Sequence, residues 1–149
     1  MWSKGLTLLE LLVVLAVAAI TLTVAIPGFT GIIQANTLTA GANEFLAVLQ
    51  LARTESIKRG QRVVLRRAGG SDWSAGWTVF VDRDNDAVHD PGEPLLRSRG
   101  ALRHGFSLTG NHHVADYVSY LPAGQARLTS GALQMGTFML CAPSGRADG

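Results

Sequence analysis

Five of the eleven acidic residues fall within one dozen positions, Asp82-Arg83-Asp84-Asn85-Asp86-Ala87-Val88-His89-Asp90-Pro91-Gly92-Glu93. Asp82, Asp84, Asp86, Asp90 and Glu93 take the first, third, fifth, ninth and twelfth places of a loop with EF-hand-like spacing, where alternate carboxylates can converge on a hard cation such as calcium. Against that reading, Ala87 stands where the sharp turn wants glycine, Pro91 falls inside the loop, and the flanks read as strands rather than helices. Asp, Asn, Pro and Gly are also the residues of turns, so an acidic hairpin turn is the competing reading. The basic residues Lys58, Arg59, Arg62, Arg66, Arg67, Arg97, Arg99 and Arg103 form a second constellation. Alternation on a strand puts Arg62 and Arg66 on one side, and likewise Arg97 and Arg99. Such a face can hold phosphates without reading sequence, although the formal net charge is only +2 and a solvated face is the plainer account.

Other chemistry is poorly provided for. His112 and His113 are neighbours, which on a strand point to opposite faces, and His89 and His104 have no evident partner. No nucleophile-elbow pattern, Ser/His/Asp arrangement or phosphate-cradling glycine loop is present, so the chain is not expected to be an enzyme. Cys141 is the sole cysteine. It excludes an intramolecular disulfide and a cysteine metal site, and reads as a small hydrophobe or as the partner of a cysteine elsewhere. No cofactor is expected apart from the calcium alternative.

The elements that must carry these residues follow from periodicity. Leu38, Ala42, Phe45, Leu49 and Ala52 recur at helical spacing, and the pattern stops at Lys58-Arg59-Gly60, with cations in the last turn and glycine after it. From Gln61 the chain reads as short strands: 62–66, 76–81, 95–98, 106–109, 117–121, 126–129 and 136–141, with a turn at 69–72. The expectation is an α+β fold, a long helix packed on an antiparallel β domain. Its segments are 1–5, an apolar helix at 6–26, an amphipathic continuation at 27–60 with a kink at Pro27, and a β domain at 61–149, with the chain ending in a turn-like stretch that lacks a closing strand.

Residues 6–26, LTLLELLVVLAVAAITLTVAI, hold one charge, Glu10. As a helix they measure about 31 Å, the thickness of a bilayer's hydrocarbon core. Three readings compete. A secretory signal peptide would use Ala16-Val17-Ala18 as its cleavage triplet, but the apolar run is long for one and contains a carboxylate. A plain anchor would be oriented by Lys4, N-terminus inside, and leaves Glu10 unexplained, although a charge within a span costs about 2.5–3.5 kcal/mol.

The third reading rests on Lys4-Gly5-Leu6-Thr7-Leu8-Leu9-Glu10-Leu11-Leu12-Val13-Val14, which resembles the type IV prepilin motif. The resemblance implies cleavage between Gly5 and Leu6 by a prepilin peptidase, methylation of the Leu6 amine, Glu10 as the assembly glutamate and Pro27 as the helix-kinking proline. Leucine stands where that family usually begins its mature chain with phenylalanine. The new amine and Glu10 lie about one helical turn apart, so the carboxylate can pair with the Leu6 amine of a neighbour or with its own. Gly76-Trp77-Thr78-Val79-Phe80-Val81-Asp82, followed by Asp84, Asp86, Asp90, Gly92-Glu93 and Leu95-Leu96-Arg97, is similar to the GspH/FimT branch of pseudopilins. This implies a minor subunit of a type II secretion pseudopilus or type IV pilus, single-pass in the inner membrane, with a periplasmic domain and other pilins as partners. Some relatives in that branch capture DNA through a Gly-Arg-x-Arg motif. Gly145-Arg146-Ala147-Asp148 begins in that way but places an acid at the second arginine. DNA contact through Arg62, Arg66, Arg97, Arg99 and Arg146 is the alternative function.

Overall fold

The computed structural model describes residues 7–143, the side chains of 24–30 excepted. Helix α1 spans Leu8–Arg59. Six strands follow: β1 Arg62–Arg67, β2 Trp77–Asp82, β3 Leu95–Arg99, β4 Ser107–Gly110, β5 Tyr117–Tyr120 and β6 Phe138–Cys141. The chain divides into two compact units, Met1–Thr37 and Leu38–Gly149, so the division falls within α1.

In the first unit Thr7 starts the helix, its Oγ1 accepting the Glu10 N–H at 3.2 Å. With Glu10 three residues on, this is the Thr-x-x-Glu spacing of a capping box. Every described side chain from Thr7 to Thr23 is exposed. Thr21 and Thr23 turn their hydroxyls back onto the carbonyls of Val17, Ala18 and Ile20 at 2.7–2.9 Å. Pro27, where the kink is expected, lies in the segment whose side chains fall outside the described residues, and α1 continues through it. Among the described residues no helix is long and apolar enough to cross a membrane. The apolar side chains described run from residue 7 to 23, fewer than the roughly 20 needed for a span, whereas the run in the sequence continues to Ile26.

The second unit is built around a four-stranded antiparallel sheet, order β3-β2-β1-β5. Phe45, Val48 and Ala52 on α1 are buried against Val63, Leu65, Trp77, Val79 and Val81. Val48 joins this face although the spacing read from the sequence passes it over, and Ala42 is exposed instead. Phe45 is the centre of the cluster. Its ring meets Trp73, Trp77 and Phe138 edge-on, with centroids 5.5, 5.1 and 4.7 Å away, the geometry that aromatic quadrupoles prefer. Trp73 lies in a short 3₁₀ turn, Trp73–Ala75, capped by Asp72. It is fully buried and donates its Nε1–H to the Val114 carbonyl at 2.9 Å.

β4 and β6 form a separate two-stranded ladder, Ser107 opposite Cys141 and Gly110 opposite Phe138. The strand expected at 126–129 is reduced to isolated bridges, Tyr120 with Ala126 and Arg127 with Leu133. Turns at Gly124 and Gly131, both left-handed, leave too little extended chain between them. The last strand starts at Phe138 rather than residue 136, and Gly136 before it is pressed against Val114 and Asn111 with no room for a Cβ.

Phe45→Ala removes the ring that joins helix, sheet and ladder. It is expected to cost about 3–5 kcal/mol, measured by guanidinium unfolding of the detergent-solubilised chain with tryptophan fluorescence as the signal.

Candidate functional site

The acidic loop does not project from the sheet. It folds across the face opposite α1, where Ala87, fully buried, packs on Val64 and Phe80 with Tyr117 beside them. The acids hold this fold. Asp82, at the end of β2, is buried and its two oxygens accept the Asn85 and Ala87 N–H groups at 2.7 and 3.1 Å. Glu93 accepts from the Arg83 and Asp90 N–H groups at 2.7 and 3.1 Å. Asp86 accepts from Val88 N at 2.6 Å. Asn85 and Ala87 sit at φ +66° and +62°, so Ala87 takes the left-handed conformation that an EF-hand-like loop assigns to glycine.

Asp82, Asp84 and Asp86 can bring one oxygen each within 4.8 Å of one another. Asp90 and Glu93 are not part of that group. A calcium ion takes six to eight oxygens, and both oxygens of Asp82 and of Glu93 already face backbone donors. The loop is closed by its own hydrogen bonds. His89 belongs to it as well: its ring lies 5.1 Å from that of Phe80, and Nε2 is 3.2 Å from the Glu93 carbonyl. The sequence shows no partner for it because both contacts depend on the loop turning back on the sheet.

The arginines hold the other side of this arrangement. Arg62 is buried, donating Nε–H to Asn85 Oδ1 at 2.9 Å and Nη1–H to Ser119 Oγ at 2.7 Å. Arg66 donates to the Ala87 carbonyl at 2.8 Å. Arg62 and Arg66 do share a face, as alternation predicts, and the face is the one under the loop. Arg99 is bound to Glu44 at 3.0 Å and lies over the Trp77 ring, 4.9 Å from its centroid. Arg67 pairs with Asp116 at 2.7 Å. Arg97 is exposed and, among the described residues, has no ion-pair partner. Arg146, Gly5 and Leu6 lie outside the described residues. A continuous phosphate-binding face is therefore not assembled from Arg62, Arg66, Arg97 and Arg99. His112 and His113 sit in a 3₁₀ turn rather than a strand, with rings edge-to-face at 5.3 Å.

A helix, a four-stranded antiparallel sheet and a self-closed acidic loop between β2 and β3 can now be set beside known proteins. The family model described as type II transport protein GspH matches residues 41–148. This chain belongs to the GspH family. It is accordingly a pilin-family protein, a minor pseudopilin of the type II transport kind. Two crystal structures of the type IV minor pilin FimU from Pseudomonas aeruginosa PAO1 share the fold. One, in space group P21, is 21% identical with a TM-score of 0.56, over 72% of this chain and 74% of FimU. The other, in P65, is 20% identical with a TM-score of 0.53, over 74% and 79%. No curated protein matches the sequence. What sequence reasoning missed in this GspH-family chain is the loop's plug, Ala87, and the Thr7 cap. A Thr-x-x-Glu before an apolar run is a readable signal for the cap. A lone alanine in a polar loop signals nothing.

Burial pushes the Asp82 carboxyl above its ordinary 3.8, and the Ala87 and Asn85 N–H groups only partly counter it. A raised folded-state value means that the folded chain holds this proton more tightly than the unfolded one. The resulting stability is fully present below the unfolded pKa and is lost as pH rises through the folded one. Asp82→Asn keeps one acceptor of two, and is expected to cost about 1–3 kcal/mol at pH 7. The gap to the parent should widen as pH falls toward 4, read from urea midpoints across that range.

Proposed function

We propose that the apolar half of α1 places this subunit in the inner membrane, N-terminus cytoplasmic, and then in the core of a periplasmic filament. Maturation is by prepilin peptidase, which cuts between Gly5 and Leu6 and methylates the new amine. The observation that carries this reading is the helix from Leu8 to Thr23. Its large apolar side chains are uncovered, Leu8 at 82% and Ile20 at 65% exposure, and its threonines satisfy their own hydroxyl donors on the backbone. A helix with nothing left to offer water, and much to hide from it, is suited to lipid or to other apolar helices. Lys4 sets the orientation.

Glu10 is the exception on that helix, and its position suits the assembly contact. It lies in the first turn, where the helix dipole favours an anion and where the freed amine of a neighbouring Leu6 supplies the counter-charge. The fold's β domain then stands on the periplasmic side, toward neighbouring subunits.

Gly5→Glu is expected to leave the chain uncut, with intact mass spectrometry finding Met1 as the first residue; normal trimming would overturn the maturation step. Glu10→Ala should insert in the membrane as the parent does. Its share of the sheared filament fraction should fall about tenfold, the effect of roughly 1.4 kcal/mol, measured by immunoblot.

A further inference from the structure

The β6 strand has an open edge whose direction can be worked out. The Asn111 N–H donates to the Thr137 carbonyl at 3.1 Å, and these two residues continue the β4–β6 register in which Gly110 faces Phe138. In an antiparallel ladder hydrogen-bonded pairs alternate with non-bonded ones. Residues 137, 139 and 141 therefore point their backbone groups toward β4, and Phe138 and Leu140 point theirs away. The opposite strand obeys the same phase: the Leu108 N–H, facing away from β6, is taken by Ser74 Oγ at 2.9 Å. Among the described residues, no partner takes the N–H or C=O groups of Phe138 and Leu140.

The side chains of these same two residues line a groove of about 390 Å³, together with Phe45, Leu46, Leu49 and Leu108, and no charged residue lines it. Leu46, on α1, is 56% exposed there. The contrast with the other free edge is informative. β3 carries Arg97 and Arg99 and a bulge opposite Val79 and Phe80, the devices that discourage strand addition. β6, Phe138-Met139-Leu140-Cys141, has no charge, proline or bulge.

We infer that β6 is a docking edge for an extended, uncharged segment of a neighbouring subunit, which adds to the β4–β6 ladder and sets alternate apolar side chains in the groove. The outward backbone groups select this occupant. A helix has its own N–H and C=O groups bonded internally, and a small apolar ligand has none to give, whereas an added strand pairs with all four and fills the groove from the same register. That the partner is another pilin-family subunit rests on the assembly role proposed above; the edge itself does not.

The test uses the full chain in detergent and the peptide acetyl-Lys-Val-Thr-Val-Thr-Val-Lys-amide, with amide hydrogen exchange resolved by NMR. Saturating peptide is expected to slow exchange at Phe138 and Leu140 at least tenfold, leaving residues 95–99 unchanged. The same peptide N-methylated at its valines should give no protection. Leu46→Glu, at an exposed position and so expected to keep the parent's melting temperature, should weaken binding about tenfold. Absence of protection, equal protection along β3, equal protection by the N-methylated peptide, undiminished binding by Leu46→Glu, or protection of Phe138 and Leu140 before any peptide is added would each overturn the inference. Because the peptide assay involves no filament, its failure would leave the filament assays of Gly5 and Glu10 variants untouched.

Discussion

A sheet whose central strands are apolar on both faces cannot stand with one face in water. β1 runs Val63-Val64-Leu65 and β2 runs Val79-Phe80-Val81, and all six are inaccessible to solvent. Half-solvated antiparallel strands alternate; these do not. Both sides must therefore be covered. α1 covers one through Phe45, Val48 and Ala52. On the other no helix lies among the described residues, and the loop between β2 and β3 folds back over Val64 and Phe80.

This requirement explains the composition of the loop. A loop laid on a sheet brings backbone N–H groups to a place where water no longer serves them all, and a buried donor without a partner costs about 1–3 kcal/mol. Asp82 and Glu93 supply the acceptors from within the loop. Arg62 and Arg66 supply donors from the strand beneath, to Asn85 and to the Ala87 carbonyl. Asp82 and Glu93 from the acidic run and Arg62 and Arg66 from the basic set are in the fold the two halves of one polar seam. Among the described residues no buried side-chain nitrogen or oxygen is left without a partner.

Much of this was legible in the residues. The helix end at Lys58-Arg59-Gly60, the strands of the central sheet and the α+β order follow from periodicity and turn chemistry, and the family from the resemblance that residues 4–14 and 76–97 carry. The role of the polar residues was not legible, because it depends on which face of β1 the loop returns to. Alternation places Arg62 with Arg66 but cannot say what lies over them. The strand expected at 126–129 does not form for a related reason. Ala126 and Arg127 have strand-like pairing, yet Gln134 reaches in from the far side of the turns to accept the Ser119 N–H at 3.0 Å and to donate to the Tyr117 carbonyl at 2.8 Å. That side chain takes the place of a ladder, and no propensity scale reports it.

The left-handed alanine imposes a narrow tolerance on its surroundings. Holding Ala87 at φ +62° costs about 1–2 kcal/mol. Glycine would relieve that, but would give up roughly 0.8 kcal/mol of methyl burial and add about 0.5–1 kcal/mol of freedom to the unfolded chain. The two smallest residues are thus nearly equivalent there, and any larger one must displace Val64 or Phe80. The Asp82 carboxylate reaches the Ala87 N–H five positions on, so the interval between them acts as a ruler. An insertion between the two would carry the plug away from its acceptor, whereas one after Val88 would leave that interval unchanged.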